Sequence, residues 1–220
     1  MNGLQNNTLH HFGDSYGIAK KSKHFVNLLA DYFNVDYINY SISGFSNELI
    51  FQKMLEKANT FRKNDIIFIN FSFFNRGCYW NTLNKNVEST NTLYSELDKE
   101  FQSEIWFNKT NEIEKVNFLL EYYLKYDEDY NRRIFKLINT FFETIVIPNN
   151  IQIYYIFVDN SLYKNDLLTY GNNIDFSGGF ANWLIQHNWH TEQDTHYKLN
   201  IQPAILDKVL AKIKNLQSII

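Results

Sequence analysis

A serine near the start of the chain and an aspartate–histidine pair near its end have the residue types of a nucleophilic centre. Ser15 lies within His11-Phe12-Gly13-Asp14-Ser15-Tyr16-Gly17, and the pair belongs to Asp194-Thr195-His196. A serine hydroxyl becomes a nucleophile when a histidine takes its proton and a carboxylate orients that histidine. Residues two apart in an extended loop point the same way, so Asp194 could contact His196 while that ring faces Ser15. The alternative interpretation is that both are solvated loop residues.

The sequence around Ser15 predicts a turn from a strand into a helix. Thr8 to Phe12 are largely apolar or aromatic, as in a short strand, and Ile18 to Phe33 have helical spacing. Gly13 and Gly17 permit backbone angles that other residues avoid. Such a turn lifts a hydroxyl out of the sheet and aims backbone N–H groups at a ligand above it. It would equally suit an ordinary connection between strand and helix, so both interpretations stay open.

Strands and helices alternate along the rest of the chain. Further strands are predicted at Val35–Tyr40, Asp65–Phe71 and Ile151–Val158, and further helices at 47–61, 112–126, 130–147, 180–187 and from Pro203 onward. Alternation of this kind predicts an α/β fold, a three-layer α/β/α sandwich on a mostly parallel sheet. Ligands bind such sheets at the carboxyl ends of the strands, where the turns at Ser15 and Gly44 fall.

Composition excludes several classes of protein. The chain has 220 residues, 45% of them hydrophobic, which is enough for a sizeable core. A net charge of −3 without a basic face argues against a nucleic-acid partner. Cys78 is the only cysteine, which excludes an intramolecular disulfide and a cysteine-based metal site. The sequence contains neither a signal peptide nor a membrane-spanning stretch, so a cytoplasmic protein without membrane contact is expected by default.

A polar segment from about 72 to 109 predicts an insertion within a single domain that spans residues 1–220. It has weak periodicity and many Asn and Thr residues, yet it carries Trp80 and Trp106. Long connections in compact domains tend to be lids or binding surfaces. We therefore interpret both tryptophans as candidate substrate contacts, and their packing onto adjacent helices is the equal alternative.

The histidines near the end of the chain also raise the possibility of a metal site. The candidate ligands are close in sequence: His187, His190, Glu192, Asp194 and His196. A hydrolytic loop explains the same residues, so we expect neither a metal nor a cofactor.

Three short motifs in order resemble the SGNH (GDSL-like) hydrolase family. They are Gly13-Asp14-Ser15, Asn39-Tyr-Ser-Ile-Ser-Gly44 and Asp194-Thr-His196. The resemblance implies the SGNH form of the sandwich, with a flavodoxin-like sheet. It also implies a serine esterase with Ser15 as nucleophile, His196 as base and Asp194 orienting that base. The N–H groups of Ser15 and Gly44 would then form an oxyanion hole.

The segment of this chain that corresponds to the third block of the family departs from the usual Gly-x-Asn-Asp. Here the central strand runs into Ser72-Phe-Phe-Asn75-Arg76, with Ser72 in place of the glycine. Asn75 is the best available side-chain donor for the oxyanion, one position late. We include Ser72 as a candidate contact with substrate.

The resemblance implies hydrolysis of a small acyl ester, an acetyl ester foremost, on a carbohydrate. The partner would be a small acylated substrate or glycan. Two alternatives stay open: an acyltransferase on the same scaffold, and a catalytically weakened carbohydrate-binding module. The sequence does not specify an oligomeric state.

Overall fold

The computed structural model describes most of the predicted sandwich. The described residues are 7–17, 23–73, 78–81, 86–89, 131–158, 167–176, 178–189 and 199–217. The predicted helix at 112–126 lies outside them. No helix within these ranges is long and apolar enough to cross a membrane.

A parallel sheet forms the centre of the molecule. Its strands within the described ranges are β1 (Thr8–Gly13), β2 (Asp36–Asn39), β3 (Ile66–Phe71), β6 (Gln152–Phe157) and β7 (Asn172–Asn173). Their spatial order is β2-β1-β3-β6-β7, and every neighbouring pair is parallel. The predicted α/β class is therefore confirmed.

Two short strands lie inside the predicted insertion. β4 (Cys78–Asn81) pairs antiparallel with β5 (Asn86–Ser89), and Trp80 is opposite Val87 in the register. The start of the insertion thus contains a hairpin, which the weak periodicity of the sequence did not indicate.

Helices cover both faces of the sheet. They are α1 (Phe25–Phe33), α2 (Asn47–Lys57), α3 (131–141, continuing into a π-helical segment, Phe142–Val146), α4 (Phe180–Gln186) and α5 (Gln202–Gln217). His24 and Ser46 cap α1 and α2 with side-chain acceptors, and Asn34 ends α1 in the left-handed conformation, with φ of 53°.

The sheet separates two buried clusters of apolar side chains. On one face α1, α4 and α5 pack against β1, β3 and β6, with Phe25, Phe68 and Phe180 among the buried residues. On the other face α2 and α3 pack against the same strands, with Phe12 and Phe135 in the core. Alternating residues of β3 enter opposite clusters, as a strand buried on both faces requires.

Apart from β4, β5 and β7, which the sequence did not predict, the described elements follow the prediction in type and differ from it at their ends. The described part of the first helix begins at Phe25, and α2 ends at Lys57, where a 3₁₀ turn (Ala58–Thr60) follows. β7 is only two residues long, so it offers no alternating pattern to detect.

A buried His–Asp pair fixes the beginning of β1. Asp65 accepts hydrogen bonds from the N–H groups of Thr8 and Arg62, each 2.8 Å long, and its Oδ2 lies 3.0 Å from His10 Nε2. Both side chains are almost fully buried. Burial lowers the pKa of His10, and the carboxylate of Asp65 acts in the opposite direction.

We predict that Asp65→Ala lowers the free energy of unfolding by about 3–5 kcal/mol, because it removes the partner of the buried His10 ring and the acceptor of two partly buried backbone N–H groups. Asp31→Ala is the control, since the Lys23–Asp31 pair is more than half exposed, and it should cost below about 1 kcal/mol. Urea unfolding measures both. Equal losses would contradict the structural importance of the buried pair.

Candidate functional site

The Ser15 turn lies where the order of strands reverses. The chain passes from β1 to β2 on one side and returns to β3 on the other side of β1. In open α/β sheets, ligands bind at the carboxyl ends of the strands at such a switch point. Ser15–Gly17 forms a single 3₁₀ turn one residue after β1, so the backbone of Ser15 lies at this position.

Asp14 holds the amino end of this turn. Its Oδ1 accepts from the Tyr16 N–H at 3.0 Å, and its carbonyl accepts from the Gly17 N–H at 2.9 Å. The other carboxylate oxygen, Oδ2, accepts from the Ser72 hydroxyl at 2.8 Å. Asp14 is fully buried, so water does not compete for these bonds.

The carbonyl of Tyr16 is held from beneath by two buried side chains. His24 Nε2 lies 2.9 Å from this oxygen, and Asn70 Nδ2 donates to it at a longer 3.4 Å. Asp14 therefore holds the N–H groups of Tyr16 and Gly17, and His24 and Asn70 hold the carbonyl of Tyr16.

His24 is a neutral structural residue. Its Nδ1 accepts from the Val26 N–H at 3.1 Å, so the ring proton is on Nε2, where it donates to the Tyr16 carbonyl. Burial lowers the pKa of His24 to about 4, and the bond to the carbonyl acts in the opposite direction. The His24 ring is therefore fixed in a single tautomer, in which it helps to position the turn.

His11 is neutral for a similar reason. Its Nε2 donates to Asn70 Oδ1 and its Nδ1 accepts from the Tyr37 hydroxyl, each at 2.9 Å. Burial, and secondarily His24 with a ring centroid 5.0 Å away, lower the pKa of His11 well below its ordinary value. Both ring nitrogens are engaged, so His11 is not placed to act as a general base.

A second turn, after β2, is bonded to the Ser15 turn. Asn39 Nδ2 donates to the Gly17 carbonyl at 2.8 Å, while Asn39 Oδ1 accepts from the Ser41 N–H at 2.9 Å. The Ile42 N–H donates to the Gly13 carbonyl at 3.1 Å. The two turns therefore form one connected rim at the carboxyl edge of the sheet.

Gly44 lies in this second turn with a backbone that disfavours side chains. Its φ of 84° is in the left-handed region, which glycine adopts without strain. Among the groups that the structure describes, none accepts a hydrogen bond from the Gly44 N–H. That N–H is thus a candidate donor to a ligand.

Ser72 has a different place from the substrate contact that the sequence suggested. It is fully buried, its hydroxyl donates to Asp14, and its backbone N–H and carbonyl pair with the Asn47 side chain at 2.7 and 3.3 Å. A buried, bonded hydroxyl is not presented to a ligand, so we assign Ser72 to the support of the turn.

The remaining predicted residues lie wholly or partly outside the described ranges. Trp80 is described as part of the backbone of β4 only. Asn75, Trp106, Asp194 and His196 lie outside the described residues, so their places in the site remain predictions.

Both neighbours of the last loop can be located. Trp189 packs edge-on to Trp183 of α4, with ring centroids 5.1 Å apart. At the other side of the loop, Gln202 Oε1 accepts from the Phe25 N–H at 2.8 Å, which ties the start of α5 to the start of α1.

Of the suggested metal ligands, His187 is the one described residue. Its Nδ1 lies 2.8 Å from the Trp183 carbonyl, and its ring packs 4.6 Å from that indole. Within the described residues there is no group of three or more His, Cys, Asp and Glu side chains that could hold a metal ion.

Sequence reasoning did not find the buried network under the turn. Its members are His11, His24, Tyr37, Asn47 and Asn70. One signal was available, because Asn70 is the polar residue in an otherwise apolar strand. Gly13 pairs with Asn70 in the register, and His11 lies on the same face of β1 as Gly13.

Comparison with family models and with curated sequences does not identify a relative. No family model matches the chain, and no curated protein matches its sequence significantly. Family membership is therefore a proposal, which depends on the geometry of the rim.

The close contact of the two turns gives a first test of the site. A Cβ on Gly17 would overlap Ser41 Oγ and lie 2.6 Å from Ser41 Cβ, although its φ is outside the left-handed region. Gly17→Ala should therefore lower the free energy of unfolding by about 1–3 kcal/mol through overpacking. In the Ser41→Gly background the same change should cost far less, as a double-mutant cycle by urea unfolding would show. Additive losses would contradict the contact.

The neutral state of His24 predicts a pH-dependent stability. The folded pKa is about 4 against an ordinary value of 6.5, so the unfolded chain binds the proton more readily between these values. As the pH decreases from 7 to 5, the free energy of unfolding should therefore decrease by about 2 kcal/mol because of this group. Urea unfolding at both pH values measures it.

His24→Asn should reduce this pH dependence, because asparagine retains a helix-capping acceptor without titrating. His187→Asn, which changes an exposed histidine, is the matched control and should keep the wild-type dependence. The same pH dependence in all three proteins would contradict the assignment.

Proposed function

We propose that this chain is a serine esterase of the SGNH type, which hydrolyses a small acyl ester, an acetyl ester foremost. Ser15 is the nucleophile, His196 the general base and Asp194 the carboxylate that orients the base. The N–H groups of Ser15 and Gly44, with Asn75, stabilise the oxyanion.

One observation carries the proposal: the Ser15 and Gly44 turns are bonded to each other at the switch point of a parallel sheet. The bonds from Asn39 to Gly17 and from Ile42 to Gly13 fix the first turn against the second. The resemblance implies this juxtaposition, since it draws the nucleophile from one motif and an oxyanion donor from the other.

The topology adds support at the level of the fold. Counted within this sheet alone, the strand order is 2-1-3-4-5, which is the flavodoxin-like order. The switch point of that order lies between β1 and β3, beside Ser15. Many unrelated functions share such sheets, so the fold supports the location of the site more than its chemistry.

The start of α5 supports the origin of the base. His196 precedes Gln202 by six positions, and six residues span at most about 20 Å. Gln202 bonds to Phe25, the neighbour of His24, which in turn bonds to Tyr16, the neighbour of Ser15. A chain of direct contacts therefore connects the start of α5 to the nucleophile turn, which supports a base from the loop that precedes α5.

In the proposed reaction, Ser15 Oγ attacks the ester carbonyl and His196 takes its proton. The oxyanion then receives hydrogen bonds from backbone N–H groups that are already in place, which avoids reorganisation during the reaction. His196 returns the proton to the leaving alcohol, and water repeats the sequence on the acyl-enzyme. The described histidines near the turn are neutral and bonded, which is consistent with a base from elsewhere in the chain.

The experiment is hydrolysis of p-nitrophenyl acetate by purified protein. Ser15→Ala and His196→Ala should each lower kcat/KM by a factor on the order of a thousand or more, and Asp194→Asn should cost less. The matched control is His187→Ala, since this exposed histidine lies outside the proposed triad.

Three outcomes would contradict the proposal. Full activity in Ser15→Ala would indicate another nucleophile, and Cys78→Ser would then test the single cysteine. Absence of turnover, together with binding of an acylated glycan, would instead favour the binding-module alternative. Acyl transfer to an added sugar in place of water would identify an acyltransferase.

In the proposed function, the insertion determines which substrate is bound. If Trp80 and Trp106 contact an acylated sugar, alanine at either position should raise KM for that sugar and leave turnover of p-nitrophenyl acetate nearly unchanged. Parallel loss on both substrates, with a lower Tm, would assign these tryptophans to packing.

A further inference from the structure

We propose that Ser72 is a positioning residue, which together with Asn47 sets the Ser15 turn relative to the Gly44 turn. The inference deepens the proposed function, since it concerns how that same site is held. We refer to Asp14, Ser72 and Asn47 together as the brace.

The brace begins at the nucleophile turn. Ser72 Oγ donates to one oxygen of the Asp14 carboxylate at 2.8 Å, and the other oxygen accepts from the Tyr16 N–H at 3.0 Å. Because one rigid carboxylate takes both bonds, a movement of Ser72 shifts the acceptor of the turn. Ser72 comes directly after β3, the central strand, whose position is fixed by its two neighbours.

The brace ends on the second turn. Asn47 is the first residue of α2 and follows Gly44 by three positions. Its side-chain amide pairs with both backbone groups of Ser72, accepting from the N–H at 2.7 Å and donating to the carbonyl at 3.3 Å. Such a two-point clamp fixes orientation as well as distance. The brace thus connects the segments that follow β1, β2 and β3.

Burial makes the brace stiff. Asp14 and Ser72 are fully buried and Asn47 is 1% exposed. Loss of a donor to a buried carboxylate is not compensated by water, so the turn would rearrange to recover it. Oxyanion donors act only when they are held in place before the reaction, and errors near 1 Å are costly. The family that the sequence resembles usually has a glycine at the position of Ser72, so the resemblance does not account for this hydroxyl.

Two measurements on the full chain test the brace. The first is the hydrogen-exchange rate of the Tyr16 and Gly17 amides, which reports the turn itself. The second is the rate at which a fluorophosphonate probe labels Ser15, located by mass spectrometry, which reports the nucleophile. The variants are Ser72→Ala, Ser72→Gly and Ser72→Cys, the last with a thiol as a weaker donor of similar size.

Asn139→Ala is the matched control. Asn139 clamps another segment in the same way, because it donates to the Leu167 carbonyl and accepts from the Thr169 N–H, each at 2.8 Å. It belongs to α3 and bonds to the segment before β7, at the opposite edge of the sheet from β2. Loss of this clamp should lower stability without touching the turn.

We expect Ser72→Ala and Ser72→Gly to accelerate exchange at Tyr16 and Gly17 at least about tenfold and to slow labelling at least about tenfold. Ser72→Cys should fall between them and the wild type. Asn139→Ala should leave both rates within about twofold of the wild type.

Two results would overturn the inference: wild-type exchange at the turn in Ser72→Ala, or equal acceleration there in Asn139→Ala. If the Ser72 variants accelerate exchange at the turn but the wild-type protein is not labelled at Ser15, the inference is upheld and the proposed esterase is refuted. If the wild-type protein is labelled at Ser15 and Ser72→Ala changes neither rate, the inference is refuted and the proposed esterase is upheld.

Discussion

The rim of the sheet depends on one buried carboxylate. Asp14 lies at the end of β1 without exposed surface, and its oxygens accept from a backbone N–H on one side and from Ser72 on the other. A buried carboxylate is costly unless donors surround it, so its surroundings must close around it in one arrangement. The tight turn that places Ser15 at the switch point follows from this constraint, and the glycines next to it permit the close approach of Ser41 and Asn70.

The layer beneath the turn serves the same purpose with uncharged groups. His11, His24 and Asn70 fill the space between the sheet and α1 with polar atoms that satisfy one another and the Tyr16 carbonyl. Their partners fix each imidazole in one tautomer, and burial keeps both rings neutral. Polar networks of this kind are stabilising only when complete, so they specify one geometry where an apolar core would accept several.

Sequence patterns predicted the α/β class, the strands near 8–12, 35–40, 65–71 and 151–158, and the turns at Ser15 and Gly44. These features follow from local periodicity and from turn residues, which a linear reading detects. The buried network could not be predicted in the same way, because its bonds join residues far apart in the chain, as with His11 and Asn70. Ser72 shows the limit most clearly: the sequence suggested it as a substrate contact, yet in the structure it is buried and its hydroxyl donates to Asp14.

The structure also separates two uses of histidine that residue type alone does not distinguish. A general base must exchange a proton with its substrate, so it needs one nitrogen free and a pKa near the working pH. His11 and His24 have both nitrogens bonded and lowered pKa values, because each was built into the core of the sheet edge. In the proposed reaction, the base therefore comes from another segment of the chain. Gln202 anchors the helix after the last loop to the start of α1, and the proposed base, His196, belongs to that loop.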